Sequence, residues 1–151
     1  MKKRIIFPII FSTITFSAFA RDLLPAEATA VELAVRQEMK DPDAAKFYHW
    51  DFPETDKNSA YCGLVNGKNS YGAYSGKQLF FVFIIKKDEG KYGAMPMDTD
   101  TSTGEPLSQD IVAASCAGVG YEIKVKKRFL NTVNKSRAKN GLHPLPSHLA
   151  Y

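Results

Sequence analysis

This 151-residue chain contains a run of seven residues that is apolar at every position, Leu79-Phe80-Phe81-Val82-Phe83-Ile84-Ile85. Successive side chains of a strand point to opposite faces of its sheet, so a strand built from this run has two apolar faces. Both faces must be covered by other elements, as in the interior of a sheet. We therefore predict a central strand over Gln78 to Ile85.

Shorter segments around this run predict its partners in the sheet. Phe47 to Phe52 and Ala60 to Val65 favour two earlier strands, and Lys91 to Met97 follows a charged turn as the return arm of a hairpin. Between Asn66 and Gly76, glycine and asparagine favour a loop, with a turn signal at Asn66-Gly67. Short connections of this kind make the predicted sheet mostly antiparallel.

Helices are predicted before and after the strands along the chain. Leu24 to Met39 carries one apolar stripe at helical spacing and ends before Pro42, which excludes the residue preceding it from a helix. Pro106 to Ala117 is predicted as a second helix, and a short basic helix is predicted over Lys127 to Lys139. Tyr121 to Val125 fits a strand or a helix, and we favour the strand.

The order of these elements predicts the domain organisation. Residues 21–140 are expected to form a single α+β domain, with the N-terminal helix packed on a small, mostly antiparallel sheet. Gly141, Pro144 and Pro146 interrupt regular structure after the last helix. Residues 141–151 are therefore expected to form a loosely ordered tail.

The first twenty residues predict export. A basic cluster at residues 2–4 is followed by an apolar run from Ile5 to Phe16 and by Ser17-Ala18-Phe19-Ala20, which places small residues at positions −3 and −1 of a cut before Arg21. This pattern is typical of a secretory signal peptide, and the run is shorter than the about 20 apolar residues of a spanning helix. We expect residues 1–20 to be removed, a periplasmic or secreted location, and no transmembrane segment in the mature chain.

Removal of a signal peptide changes the charge of the protein. The formal net charge falls from +4 to +1, because the positive charges of residues 2–4 are lost. A nearly neutral domain lacks the basic stripe that nucleic-acid binding needs, so no nucleic-acid partner is expected. The remaining charge is uneven, −5 over residues 21–56 and +6 over residues 121–151. Either these two ends pack together, or the basic end faces solvent or an acidic partner such as an acidic protein or lipid head groups.

The chain has two cysteines, Cys62 and Cys116. An even count in an exported protein indicates a disulfide, here between the second strand and the later helix. Metal binding would need further soft ligands, and Cys62 has none at a C-x-x-C spacing. A Cys62 nucleophile served by His49 is the catalytic alternative.

The most unusual stretch is rich in glycine, asparagine and tyrosine. Its glycines lack the spacing of a phosphate-binding loop. The tyrosines offer flat faces and the polar side chains offer hydrogen bonds, a mixture that suits a sugar ring or a protein partner. The alternative is a compact corner whose tyrosines fold back onto the sheet. The candidate binding residues are Asn66, Lys68, Asn69, Ser70, Tyr71 and Tyr74.

Motifs for catalysis, metals and cofactors are weak. No G-x-S-x-G sequence marks a serine nucleophile. Asp98 and Asp100 lie on a polar loop without the apolar surroundings of a catalytic acid, and His143 and His148 fit a solvated tail better than a metal site. We expect no catalytic residues, no metal and no cofactor.

Two segments resemble a set of small exported proteobacterial proteins that share a DP-x-SA-x-F turn and a CG-x-VN-x-KN-x-x-G-x-Y-x-G segment. The resemblance covers residues 35–85, with Ala44 where serine is usual and Gly67 where alanine is usual. It implies a compact exported domain from a Gram-negative bacterium and carries no implication for catalysis. The segments are Asp41-Pro42-Asp43-Ala44-Ala45-Lys46-Phe47 and Cys62-Gly63-Leu64-Val65-Asn66 followed by Lys68-Asn69-Ser70-Tyr71-Gly72-Ala73-Tyr74-Ser75-Gly76.

These features favour a non-enzymatic binding protein of the periplasm or the cell exterior, of the inhibitor or immunity type, which acts on an envelope-targeting enzyme. Its partner is expected to be an envelope or extracellular protein or glycan. Two alternatives stay open. One is a peptidoglycan hydrolase or modifying enzyme with the Asn66 to Gly76 loop as its substrate wall, and the other is an accessory subunit of a secretion or surface apparatus.

The mass of the mature protein tests the export prediction. Expression of the full chain in a Gram-negative host should yield envelope protein that begins at Arg21, measured by intact-mass spectrometry. Ala18→Phe with Ala20→Phe should block cleavage, because the −3 and −1 positions accept only small side chains. Phe19→Leu, between them, should be processed normally. Envelope protein that retains residues 1–20 would contradict the prediction.

Overall fold

The structure, a computed structural model, describes residues 20–53 and 59–151. The predicted signal peptide lies outside these residues except for Ala20. Within them the chain forms three α-helices, α1 (Pro25–Gln37), α2 (Gln109–Gly118) and α3 (Leu130–Lys139). It also forms six strands: β1 (Ala20–Arg21), β2 (Lys46–His49), β3 (Phe52–Pro53), β4 (Ala60–Lys68), β5 (Tyr74–Lys86) and β6 (Tyr92–Pro96).

β5 is an interior strand of an antiparallel sheet with the order β2-β4-β5-β6. Phe80, Val82 and Ile84 are buried on one of its faces, and Phe81 is buried on the other. The central strand is therefore confirmed, and so are the antiparallel sheet and the returning arm, which is β6. The apolar run places β5 inside the sheet because exposure of either of its faces to water would cost free energy.

Most of the residues predicted as a loop between Asn66 and Gly76 belong to the strands of a hairpin. β4 continues to Lys68 and β5 begins at Tyr74, so the connection is residues 69–73. The predicted turn at Asn66-Gly67 is wrong: Asn66 pairs with Lys77, and the ladder is irregular between Asn66 and Lys68. Gly67 allows a close approach instead, since a Cβ there would collide with the Met39 methyl group.

Two other predicted strands differ from the structure. The Phe47 to Phe52 strand is interrupted at Trp50, whose backbone N–H and carbonyl bind the Tyr61 hydroxyl rather than a neighbouring strand. Its last part is β3, which pairs with β1. The strand predicted over Tyr121 to Val125 is wrong, because that segment is irregular and forms a single parallel bridge, from Val125 to Ala150.

The helices cover the sheet from both sides. Tyr61 and Cys62 are neighbours on β4, so their side chains point to opposite faces. On one face, the Tyr61 hydroxyl contacts His49, whose ring also contacts Glu32 on α1. On the other face, Cys62 is bonded to Cys116 on α2. The prediction that the N-terminal helix packs on the sheet is confirmed. α3 packs against α2 around the buried side chains Ala117, Val125, Val133 and Leu145.

The disulfide is confirmed, with sulfur atoms 2.06 Å apart and both cysteines fully buried. It joins residues 54 positions apart and fastens α2 to the middle of the sheet. Cys62 is therefore not available as the nucleophile of the catalytic alternative.

Residues 141–151, for which the sequence predicts a loosely ordered tail, are packed against the domain. Leu145 is 4% exposed, and backbone hydrogen bonds join Val125 to both Leu149 and Tyr151. The buried Arg137 guanidinium donates to the carbonyls of His143 and Ala117. A buried guanidinium needs such acceptors, which here come from the tail and from α2.

Replacement of both cysteines by serine tests the contribution of the disulfide. The chain-entropy model gives a loss of about 4 kcal/mol in the free energy of unfolding for a closed loop of this length. Urea unfolding of the Cys62→Ser, Cys116→Ser variant measures the loss, and wild type under reducing conditions should match the variant. Two free thiols in the denatured, unreduced protein would contradict the bond.

Candidate binding surface

α2 covers only part of its face of the sheet. The covered part lies near Cys62 and Phe81, and Gln109 at the start of α2 marks its border by bonding the Leu79 backbone at 2.7 and 3.1 Å. From there to the tip of the β4–β5 hairpin, the residues of the same face are exposed or half-buried. We call this region the hairpin face, and its residues are Lys46, Tyr48, Leu64, Asn66, Lys68, Tyr74 and Lys77.

Strand register brings these residues together in rows. Lys46, Asn66 and Lys77 are cross-strand partners, and Tyr48 and Leu64 form the next row with Leu79. Cross-strand partners lie on the same face of a sheet with their Cβ atoms about 5 Å apart. The hairpin face is thus a continuous patch drawn from three strands, which no single stretch of sequence contains.

Lysine and tyrosine side chains pair across this patch. The Lys77 Nζ lies 3.8 Å from the centre of the Tyr48 ring. Tyr74 is approached by Lys46 at 4.4 Å and by Lys68 at 5.8 Å. Such cation–π contacts contribute about 0.5–1 kcal/mol each at exposed sites. None of the three lysines forms an ion pair with a carboxylate of the described residues, so the patch keeps its positive charge.

The hairpin ends in a turn at residues 69–73 that one side chain organises. The Asn69 carboxamide oxygen accepts hydrogen bonds from the N–H groups of Tyr71 and Ala73, and the Asn69 N–H donates to the Ala73 carbonyl. Gly72 supplies the left-handed backbone that the turn requires, at φ 78°. Tyr71 projects from this closed turn with 95% of its surface exposed.

The segment after α1 supports the hairpin from the side. Lys40 Nζ donates to the Ser70 hydroxyl at 2.9 Å, and the Tyr74 hydroxyl donates to the Ala44 carbonyl at 3.2 Å. Ala44 in turn belongs to a turn closed by the Asp41 carboxylate, which accepts from its N–H. The two segments that carry the sequence resemblance are therefore in contact with each other.

The structure divides the six predicted binding residues into groups. Asn66 and Asn69 use their side-chain oxygens inside the hairpin, where Asn66 accepts from the Gly76 N–H. Lys68 and Tyr74 lie together on the hairpin face, and Ser70 and Tyr71 lie at the tip. Tyr74 folds back onto the sheet, as the alternative interpretation expects, whereas Tyr71 does not.

Sequence reasoning missed four residues of the hairpin face: Lys46, Tyr48, Leu64 and Lys77. Alternation within the Phe47 strand places Lys46 and Tyr48 on one face, and that signal was present in the sequence. The position of Lys77 beside them depends on the register of β5 against β4, which includes the irregularity at Gly67. Register in a hairpin is set by the turn and by the buried pattern together, and the sequence predicts the turn at Asn66-Gly67 and not at residues 69–73.

A chain of hydrogen bonds on the opposite face joins α1 to the sheet. The His49 Nε2 lies 3.1 Å from Glu32 Oε1, and its Nδ1 lies 3.1 Å from the Tyr61 hydroxyl. Burial raises the pKa of Tyr61 to about 12, and its hydroxyl donates to the Trp50 carbonyl. A protonated, fully buried phenol with its proton in use is not a nucleophile, so this chain is structural.

A second structural cluster fixes the segment that leads into α1. Glu27 is 3% exposed, and its carboxylate accepts two hydrogen bonds from Arg21, at 2.7 and 2.9 Å, and one from the Leu24 N–H. Burial alone would raise the pKa of Glu27, but these hydrogen bonds outweigh it and lower the pKa. The Arg21 guanidinium also lies over the Phe52 ring at 4.8 Å. A neighbouring cleft of about 340 Å³ is lined by Arg21, Leu24, Glu27, Phe52, Ser59, Ile84, Lys86 and Tyr92.

The remaining residues considered for catalysis or metal binding lie outside the hairpin face. The Asp100 carboxylate accepts from the Ser102 hydroxyl and N–H, which lowers its pKa and closes its own loop. His143 and His148 belong to the packed C-terminal segment. Among the described residues, no three His, Cys, Asp or Glu side chains come together as metal ligands. Over residues 20–53 and 59–151, no helix is long and apolar enough to cross a membrane.

No protein-family model, curated protein or solved structure matches this chain. The resemblance to small exported proteobacterial proteins rests on the two motifs and stays a prediction.

Substitution of Glu27 tests the pH dependence of stability. Because the pKa of Glu27 is lowered on folding, its contribution is present above the ordinary carboxyl pKa of about 4.3 and is lost as the pH falls through the lower folded pKa. Glu27→Gln should reduce the free energy of unfolding at pH 7 by about 1.5–3 kcal/mol, the range for hydrogen bonds to charged groups.

Urea unfolding between pH 2 and 7 measures this difference, which should shrink below about pH 4. Glu105→Gln, at an exposed carboxylate, is the matched control and should change little at any pH. Equal stability losses in the two variants would contradict the assigned role of Glu27.

Proposed function

We propose that this protein is an exported, non-enzymatic binding protein that holds its partner with the β4–β5 hairpin. The observation that carries the proposal is Tyr71, a tyrosine 95% exposed at the end of a closed turn. Tyrosine is enriched in protein interfaces and among the residues that dominate binding energy. The packing of the domain does not need this side chain at the tip, whereas a partner would use it.

The construction of the hairpin supports the proposal. Asn69 closes the tip, and Lys40 holds Ser70 from outside the hairpin. A loop that is already ordered loses less conformational entropy on binding than a flexible one. A preformed, protruding tip suits a concave site, such as the cleft of an envelope-targeting enzyme. This favours a protein of the inhibitor or immunity type, with the enzyme as its partner.

The composition of the hairpin face favours binding over the peptidoglycan-modifying alternative. All of its residues are described, and they are lysine, tyrosine, leucine and asparagine. These side chains orient and hold a ligand. Hydrolysis of peptidoglycan needs a group that transfers protons or attacks, such as a carboxylate, a histidine or a thiol. No observation favours the accessory-subunit alternative in the same way.

Partner capture with a tip variant tests the proposal. Mature protein carrying Tyr71→Ala should recover the partner from envelope extract about tenfold less well than wild type, the loss expected for an interface anchor. Its unfolding midpoint should not change, because the ring is exposed. Recovery is measured by quantitative mass spectrometry of the captured proteins.

Tyr151→Ala is the matched control, since Tyr151 is also exposed, at 61%, and lies outside the hairpin. This variant should capture the partner as wild type does. If Tyr71→Ala retains full capture, the hairpin tip is not the contact and the proposal fails.

A further inference from the structure

We propose that the partner presents an acidic protein surface, which docks on the hairpin face and neutralises Lys46, Lys68 and Lys77. This inference rests on the proposed function and specifies the chemistry of the partner. It also extends the contact from the tip onto three strand residues, Lys46, Tyr48 and Lys77, that the sequence did not single out.

The positive charges of Lys46, Lys68 and Lys77 are not neutralised by an ion pair with any described carboxylate. Lys46 and Lys77 flank Asn66 in one cross-strand row, so their backbones are two strand spacings apart, or about 9.5 Å. Lys68 meets Lys46 at the Tyr74 ring. This spacing is close to the Debye length of about 8 Å at physiological salt, so the charges repel one another weakly there and more strongly at low salt. A partner that supplies carboxylates removes this repulsion and gains attraction.

Part of the basic charge elsewhere in the protein is matched internally. Asp110 binds Lys126 at 2.6 Å and lies 3.6 Å from Arg128, and Glu32 binds Arg36. Arg137 is buried against carbonyls. The basic C-terminal region, which charge counting alone marks as the surface for an acidic partner, therefore uses part of its charge within the fold. The hairpin face does not.

The occupied tyrosine faces of the patch favour a protein partner over a glycan. Sugar rings stack on open aromatic faces, but ammonium groups already lie over the rings of Tyr48 and Tyr74. A sugar would have to displace them. Carboxylates instead approach the lysines from outside and leave these contacts intact. The patch also has an apolar row with Leu64 and Leu79, and apolar contact beside charge is typical of protein interfaces.

A titration with defined polyanions tests the inference. Poly-L-glutamate of about 20 residues is added to ¹⁵N-labelled mature protein at low salt, and the backbone amide shifts are followed by NMR. Saturable shifts should centre on residues 46–48, 64–68 and 74–77, and binding should weaken as salt is raised from 50 to 200 mM. Lys46→Glu with Lys77→Glu should weaken it at least tenfold.

The matched control is Lys124→Glu with Lys139→Glu, two exposed lysines near or on α3 with the same change in charge. This variant should bind as wild type does. Absence of saturable binding, shifts centred on residues 124–139, or equal losses in the two variants would overturn the inference. Shifts at the hairpin face with alginate or with phosphatidylglycerol vesicles, but not with poly-L-glutamate, would overturn it in favour of a glycan or a membrane.

The partner-capture experiment separates this inference from the proposed function. Capture that is lost with Tyr71→Ala but kept with Lys46→Glu, Lys77→Glu leaves the binding function in place and rejects the acidic partner. Capture that is lost with both supports both proposals. Capture that is unaffected by Tyr71→Ala rejects the proposed function, whatever the lysine variant does.

Discussion

The constraint on which the structure depends is the burial of both faces of β5. An interior strand with apolar side chains on each side is stable only between two layers. α1 provides one layer, joined to the sheet through Glu32, His49 and Tyr61. α2 provides the other, and the Cys62–Cys116 bond fixes it to the middle of β4. The remaining elements are arranged around these two contacts.

The binding surface follows from the same arrangement, because the two layers differ in extent. α2 covers the sheet only as far as Leu79, where Gln109 bonds its backbone. The hairpin continues past this border to its tip at residues 69–73. Beyond the cover, lysine side chains lie over tyrosine rings and shield part of the exposed apolar surface while their ammonium groups stay in water. The result is an ordered, positively charged surface that the core does not need.

The sequence predicts those features that local pattern determines. The apolar run identified β5, the helical stripe identified α1, and two cysteines in a chain with a predicted signal peptide identified the disulfide. The pattern misled at Gly67, where glycine serves the close approach of Met39 and not a turn. It also did not predict the packing of residues 141–151. An arginine such as Arg137 is normally expected at the surface, and its acceptors at His143 and Ala117 are known only from the fold. Part of the candidate surface depends on the register between β2, β4 and β5, which the sequence does not predict because it misplaces the turn of the β4–β5 hairpin.

The account centres on a hairpin tip that is already ordered before any partner binds. Backbone ¹⁵N relaxation of the free mature protein measures this order directly at residues 69–73. The hydrogen bonds around Asn69 predict order parameters close to those of the flanking strands, about 0.85 for a rigid backbone. Values below about 0.6 at the tip, with rigid strands on either side, would show a flexible loop and contradict the account.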